Sequence, residues 1–131
     1  MLKQVVAESG GRRVVIMDSI TKVTPDDEGA FVVAASHGGA SSGEFALEIP
    51  LGLVVLNDAG IGKDEAGIAS LAMLEARGVP CATVGHDTAR IGDAADMWES
   101  GIVSRVNQPA ARLGLEPGQP LKATLEALLR A

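Results

Sequence analysis

The sequence predicts an α/β domain: a single-domain three-layer sandwich over residues 1–131, with a mostly parallel sheet and an N-terminal β-hairpin. Three observations carry that expectation. Val14 to Met17, Phe31 to Ala35, Leu53 to Leu56 and Val79 to Val84 are apolar without alternation, as strands covered on both faces are. Segments with helical spacing lie between and after them. Each run stops at a short polar turn, the rhythm of strand–turn–helix units in a parallel sheet.

Taken in order, Leu2 to Ala7 and Arg13 to Met17 flank Glu8-Ser9-Gly10-Gly11, which predicts a hairpin. The second run ends at Asp18-Ser19. Thr24-Pro25-Asp26-Asp27-Glu28-Gly29 predicts a single helical turn, with Thr24 as N-cap and Pro25 as first helical residue. Phe31 to Ala35 runs into Ser36-His37-Gly38-Gly39-Ala40-Ser41-Ser42-Gly43, and Glu44 to Ile49 is expected as a short helix stopped by Pro50. Leu53 to Leu56 is the central strand.

A helix is expected from about Lys63 to Arg77, with Asp64 and Glu65 in its first turn and Gly78 at C′. Lys63, Ser70 and Arg77 would form a narrow wet stripe on this otherwise apolar helix. Val79 to Gly85 is the next buried strand. Ile91, Ala94, Ala95 and Trp98 have helical spacing, closed by Gly101. Ile102 to Val106 is a last strand ending at Asn107. Leu121, Leu125, Leu128 and Leu129 mark an amphipathic C-terminal helix starting at Pro120.

Composition narrows the function classes. A net charge of −6, with no basic cluster beyond Arg12-Arg13, argues against nucleic acid and anionic membrane as partners. Aromatics are 2% with no Tyr, a poor supply for stacking on bases or sugars. Cys81 stands alone in an apolar run, which predicts an inert buried thiol and neither a disulfide framework nor a CxxC metal site. No charged-then-apolar leader opens the chain and no apolar run approaches ~18 residues, so a soluble cytoplasmic protein is expected. Apolar residues are 47% of a chain of 131. With the nearly all-apolar helix, that surplus predicts a homo-oligomer.

In parallel sheets ligands bind outside the carboxyl ends of the strands. Those ends are Ser36-His37-Gly38-Gly39, Asn57-Asp58-Ala59-Gly60 and His86-Asp87-Thr88-Ala89-Arg90. His37, Asp58, His86 and Asp87 are therefore the candidate catalytic residues, with the histidines as acid–base groups and an aspartate to orient one of them. Ser36, Gly38, Gly39, Ser41, Asn57 and Arg90 are the candidate substrate-binding residues. Arg90 and the Gly38-Gly39 amides would hold an anion.

Each motif also has a structural reading. His37 would cap a tight turn, Asn57 or Asp58 would cap the following helix, and Asp87 would cap the Trp98 helix with Arg90 paired to Asp87 or Asp93. His37-Gly38-Gly39-Ala40 resembles the HGGG-type oxyanion segment of esterases, and Gly39-Ala40-Ser41-Ser42-Gly43 matches G-x-S-x-G. A nucleophile elbow needs the strand to run straight into the motif, and here His37-Gly38 intervenes. Asn57 to Gly62 is neither G-x-G-x-x-G nor a Walker loop, and Asp58 stands where a phosphate would bind. No cofactor is expected. Two histidines and two aspartates at one edge would suffice for a divalent metal, but no H-x-H or H-x-x-x-H spacing supports one.

A strand ending in Ser36-His37-Gly38, then a strand and a glycine-containing turn into a helix, resembles the caspase-type cysteine peptidases over roughly Phe31 to Val84. In that family the histidine follows one strand and the nucleophilic cysteine ends the next. The cysteine's place falls at Asp58 or Ala59 here, and Cys81 lies in another strand. The resemblance implies the sheet arrangement and not peptidase activity. The expectation is a small hydrolase or lyase acting on a small anionic metabolite, or a non-catalytic binding or assembly module using the same edge.

Overall fold

The structure is a computed structural model describing residues 1–131. It is a mixed α/β domain on one six-stranded sheet, whose spatial order follows the chain. The strands are β1 (Lys3–Ser9), β2 (Arg12–Met17), β3 (Phe31–His37), β4 (Leu53–Asn57), β5 (Cys81–Val84) and β6 (Val103–Val106). β1 and β2 form the expected antiparallel hairpin, turned by Gly10 and Gly11 at φ 57° and 82°, values that favour glycine. β2, β3, β4 and β5 are parallel neighbours, and β6 returns antiparallel to β5.

Residues alternate between two cores along each strand, as the pleat requires. Val15, Met17, Val32, Ala34, Val54, Leu56 and Cys81 form one cluster with Ile20, Ala46, Leu71 and Leu74. Those last four lie on the connections from β2 to β5. Crossovers of one hand that always step in the same direction must all fall on one face, which is where these residues pack. Val14, Ile16, Phe31, Val33, Leu53, Val55, Ala82 and Val84 line the opposite face. There they meet α3 (Ala94–Ser100), through Met97 and Trp98, and α5 (Leu121–Arg130), through Leu121, Leu125 and Leu129. Each fully buried Leu or Val contributes about 1.5–3 kcal/mol, so these two layers hold the fold.

The sequence expectations need several corrections. The first helix, α1 (Ala40–Ala46), starts four residues earlier than Glu44, because Gly39 already serves as its N-cap. The long helix expected from Lys63 is mostly absent. Lys63–Ile68 is an irregular 3-10 segment, and α2 covers only Ala69–Glu75. Asp64 and Glu65 sit at φ 55° and 58°, which no right-handed helix admits. Ser70, placed on the wet stripe, is fully buried, while Ala72, Glu75 and Ala76 face solvent. Exposed alanines look apolar in sequence, so the helix is less buried than its composition predicts. Pro120 stands at the start of α5 as expected, as its N-cap.

A further helix, α4 (Gln108–Leu113), was not anticipated. Its N-cap Asn107 is buried and fully engaged. The Asn107 Nδ2 donates to the carbonyls of Leu71 and Val79, and its Oδ1 accepts from the N–H groups of Cys81 and Ala110. One side chain thus ties α2, the start of β5 and α4 together. No helix is long and apolar enough to cross a membrane.

Candidate functional site

The parallel strands bring Asp18, His37, Asp58 and His86 to one edge of the sheet. β4 leads to α2 on one face, whereas β5 leads to α3 on the other. The two adjacent strands thus send their connections to opposite faces, and the chain parts at their carboxyl ends, the end of a parallel sheet at which ligands bind. That divergence lies between the ends of β4 and β5, where Asp58 and His86 stand.

Asp58 is buried, with its side chain 6% exposed, while the His86 side chain is 58% exposed. One carboxylate oxygen, Oδ1, accepts the backbone N–H of Gly60 at 2.8 Å and of His86 at 3.0 Å. The same Oδ1 lies 3.5 Å from His86 Nδ1, ion-pair distance rather than a short hydrogen bond. Burial pushes the Asp58 carboxyl up, but the N–H of Gly60, the Ser104 hydroxyl, the N–H of His86 and the imidazole together hold it below the ordinary carboxylate value. The ring is turned so that Nε2 is the nitrogen left free of the carboxylate. An ionised carboxylate facing Nδ1 of an accessible imidazole is the arrangement in which Nε2 accepts a proton from a substrate.

His37 lies in register with Asn57 across β3 and β4. It does not join the Asp58–His86 pair in a common cavity. Instead it lines a separate one of about 500 Å³ with Ser36, Gly39, Ser41, Ser42 and Ala66. No carboxylate lines this space, and the side chains of His37, Ser41 and Ser42 have no hydrogen-bond partner within the protein. The Ser36 Oγ accepts the N–H of Ile20, which fixes the turn after β2. Neither Asp58 nor His86 lines any cavity.

What separates the two places is the segment from Ala59 to Gly67. Ala59, Ile61, Asp64 and Glu65 have φ of 54°, 67°, 55° and 58°, and Gly60 and Gly62 have 78° and 71°. A side chain in that region costs on the order of 1 kcal/mol, more for a β-branched residue such as Ile61. The segment closes on itself: Gly67 donates to the Ile61 carbonyl and Ile61 to the Asp58 carbonyl, at 2.8 and 2.7 Å. A Cβ at Gly67 would collide with the Asp58 carbonyl, and one at Gly38 would lie 2.5 Å from the Gly67 carbonyl. Gly60 rests against the His86 ring, 3.5 Å from where its own Cβ would be. At its other end Ala66 forms part of the wall beside His37.

The remaining candidates are placed as follows. Asn57 is fully buried: it donates to the Ala89 carbonyl at 3.0 Å and accepts the N–H of Ala59 at 2.9 Å, so it ties the two strand-end turns together. Asp87 is exposed and is not the cap of α3. Asp93 is, accepting the N–H of Asp96 at 3.0 Å. Arg90 is exposed and forms an ion pair with neither Asp87 nor Asp93. Its backbone N–H is held by Asp96. Gly38 is buried, its N–H bonded to the Asn57 carbonyl.

Two residues of this edge escaped sequence reasoning. Asp18 accepts the N–H groups of Ala94 and Leu2, at 2.9 and 2.8 Å, and these bonds hold its carboxyl below the ordinary value. Ser104, on β6, shares a hydrogen bond with Thr83 and helps hold Asp58 ionised. The signal for Ser104 was absent, because only the antiparallel return of β6 brings the start of that strand to this edge. Cys81 is buried beside Ser70, and burial pushes its thiol up to about 12. No three His, Cys, Asp or Glu side chains converge as a metal site would require.

No protein-family model, curated protein or solved structure matches the chain.

Proposed function

We propose that this protein is a small acid–base enzyme, a hydrolase or lyase acting on a small anionic metabolite at the carboxyl edge of its sheet. The observation that carries this reading is the Asp58–His86 pair at the divergence of β4 and β5. In this reading His86 Nε2 moves the proton and Asp58 orients the ring. His37, Ser36, Ser41 and the Gly38-Gly39 segment form the adjoining pocket, whose lining carries no negative charge to repel an anion. Arg90, free of any internal carboxylate, is the guanidinium available to that anion. Asp87 stands beside them as an exposed second carboxylate. No cofactor enters the scheme.

The same proposal takes the domain as a three-layer sandwich in a cytoplasmic homo-oligomer. The two cores, the buried lone thiol and the unpaired outer edge of β1 with Val5 44% exposed support it. A non-catalytic binding module is the second reading, favoured by the separate cavity beside His37.

The test is a panel of small carboxylate and phosphate esters, lactones and hydroxy acids, assayed with the native protein, His86→Ala and Arg90→Ala. The enzyme reading expects turnover of at least one compound, reduced roughly 100-fold or more in His86→Ala. Arg90→Ala should raise KM more than it lowers kcat. Binding without turnover would establish the module instead, and turnover indifferent to His86→Ala would remove the pair from the chemistry.

A further inference from the structure

We infer that the segment from Ala59 to Gly67 is a hinged strap that closes the site and that its opening joins the His37 cavity to the Asp58–His86 pair. The strap follows β4 directly, at the strand end where β4 and β5 part. Gly60 lies on the face of the His86 ring. Ala66, six residues on, is wall to the cavity of His37. One short piece of chain therefore rests against one candidate acid–base group and borders the other.

The strap is built to leave as a unit. Its two ends meet at Asp58 and Gly67, where glycine alone permits the backbones to cross, so the hinge points are adjacent. Between them Gly62 to Ala66 are exposed. Gly62, at φ 71° and ψ −167°, is in a conformation reserved to glycine. Four residues with side chains are held left-handed. Opening relieves that strain, while the strap is tied to the strand end by the N–H groups of Ala59 on Asn57 Oδ1, of Gly60 on Asp58 Oδ1 and of Ile61 on the Asp58 carbonyl, its bonds from Gly62 to Gly60, Glu65 to Gly62 and Gly67 to Ile61 being internal to it. A closed state strained on one side and lightly bonded on the other is close in free energy to its open state. Loops and lids of binding sites are drawn from this low-stability end of a fold.

The role of the strap as a gate rests on the acid–base reading above. Its hinge does not, and amide hydrogen exchange on the substrate-free protein reads the hinge alone. The N–H groups of Ala59, Gly60 and Ile61 should exchange roughly 100-fold faster than those of Val55 and Leu56 in β4. The N–H of His86 shares Asp58 Oδ1 with Gly60 but lies outside the strap, and it should keep the slow exchange of the strands. Glu65→Gly and Asp64→Gly, both at exposed left-handed positions, should slow exchange of the strap amides roughly fivefold by relaxing the closed form. Exchange of the strap no faster than β4 would overturn the proposal. So would His86 exchanging at the rate of the strap, which would mean that the whole strand edge frays. Strap exchange unchanged in both glycine variants would also overturn it, since strain would then not be what opens the strap.

Discussion

The Asp58 oxygen that accepts the backbone N–H of His86 at 3.0 Å is the same oxygen that lies 3.5 Å from that residue's Nδ1. One buried atom thus holds the main chain of His86 and faces its ring. The backbone contact sets where the residue begins, and the second contact sets which nitrogen faces the carboxylate. Preorganisation of this kind is what an accessible imidazole needs to act on a substrate.

Asp58→Asn and His86→Ala should therefore separate fold from chemistry. Asparagine keeps an oxygen for the N–H groups of Gly60 and His86 but loses the charge, so a cost of about 1–2 kcal/mol is expected. His86→Ala removes an exposed ring and should cost no more than about 0.5 kcal/mol. Denaturant unfolding gives both numbers. A loss above about 3 kcal/mol in His86→Ala would make the ring a packing element instead.

Acid sensitivity follows from the two depressed carboxyls. Asp18 and Asp58 lie below the ordinary 3.8 when folded, Asp18 through the N–H groups of Ala94 and Leu2. In the unfolded chain both return to that value, so below it the unfolded state binds protons that the folded state excludes. Stability contributed by these groups is complete above the ordinary value and is lost as pH falls through the folded ones. Urea midpoints measured from about pH 5 to pH 2 should fall steeply for the native protein and less steeply for Asp18→Asn. Parallel curves would remove Asp18 from the acid response.

Asn107→Ala should be among the most damaging changes outside the site. It orphans two buried carbonyls and two N–H groups at once. A loss of about 2–4 kcal/mol is expected, a fall in Tm of roughly 10 °C, without effect on His86. Calorimetry showing a shift under about 3 °C would mean that water replaces the amide.

Gly67→Ala should act through the backbone, because its methyl group meets the Asp58 carbonyl. Gly38→Ala meets the Gly67 carbonyl in the same way. Each should cost about 2–3 kcal/mol. Gly78→Ala, at the left-handed position after α2 with open space around it, should cost only about 1 kcal/mol. Equal losses in all three would place the effect in backbone conformation and not in the crossing of Asp58 with Gly67.

Most of the sheet is legible in the amino-acid sequence, since unbroken apolar runs at Val14, Phe31, Leu53 and Val79 have no stable place except a doubly covered strand. The hairpin at Gly10-Gly11 and the cap at Thr24 are legible too, because local conformation decides them. The strand ends carrying His37, Asp58 and His86 follow directly from those runs. Pairing is another matter. That Asp58 meets His86 while His37 faces a cavity of its own depends on the order of the strands and on the face each connection takes. The strap was invisible for the same reason. Lys63 to Arg77 has helical composition, and only the crossing of Asp58 with Gly67, and of Gly67 with Gly38, bends its first third into left-handed backbone. Propensity is a sum of local preferences of a few tenths of a kcal/mol per residue, whereas contacts between strands far apart in the chain are worth several, and where the two conflict the tertiary contacts decide.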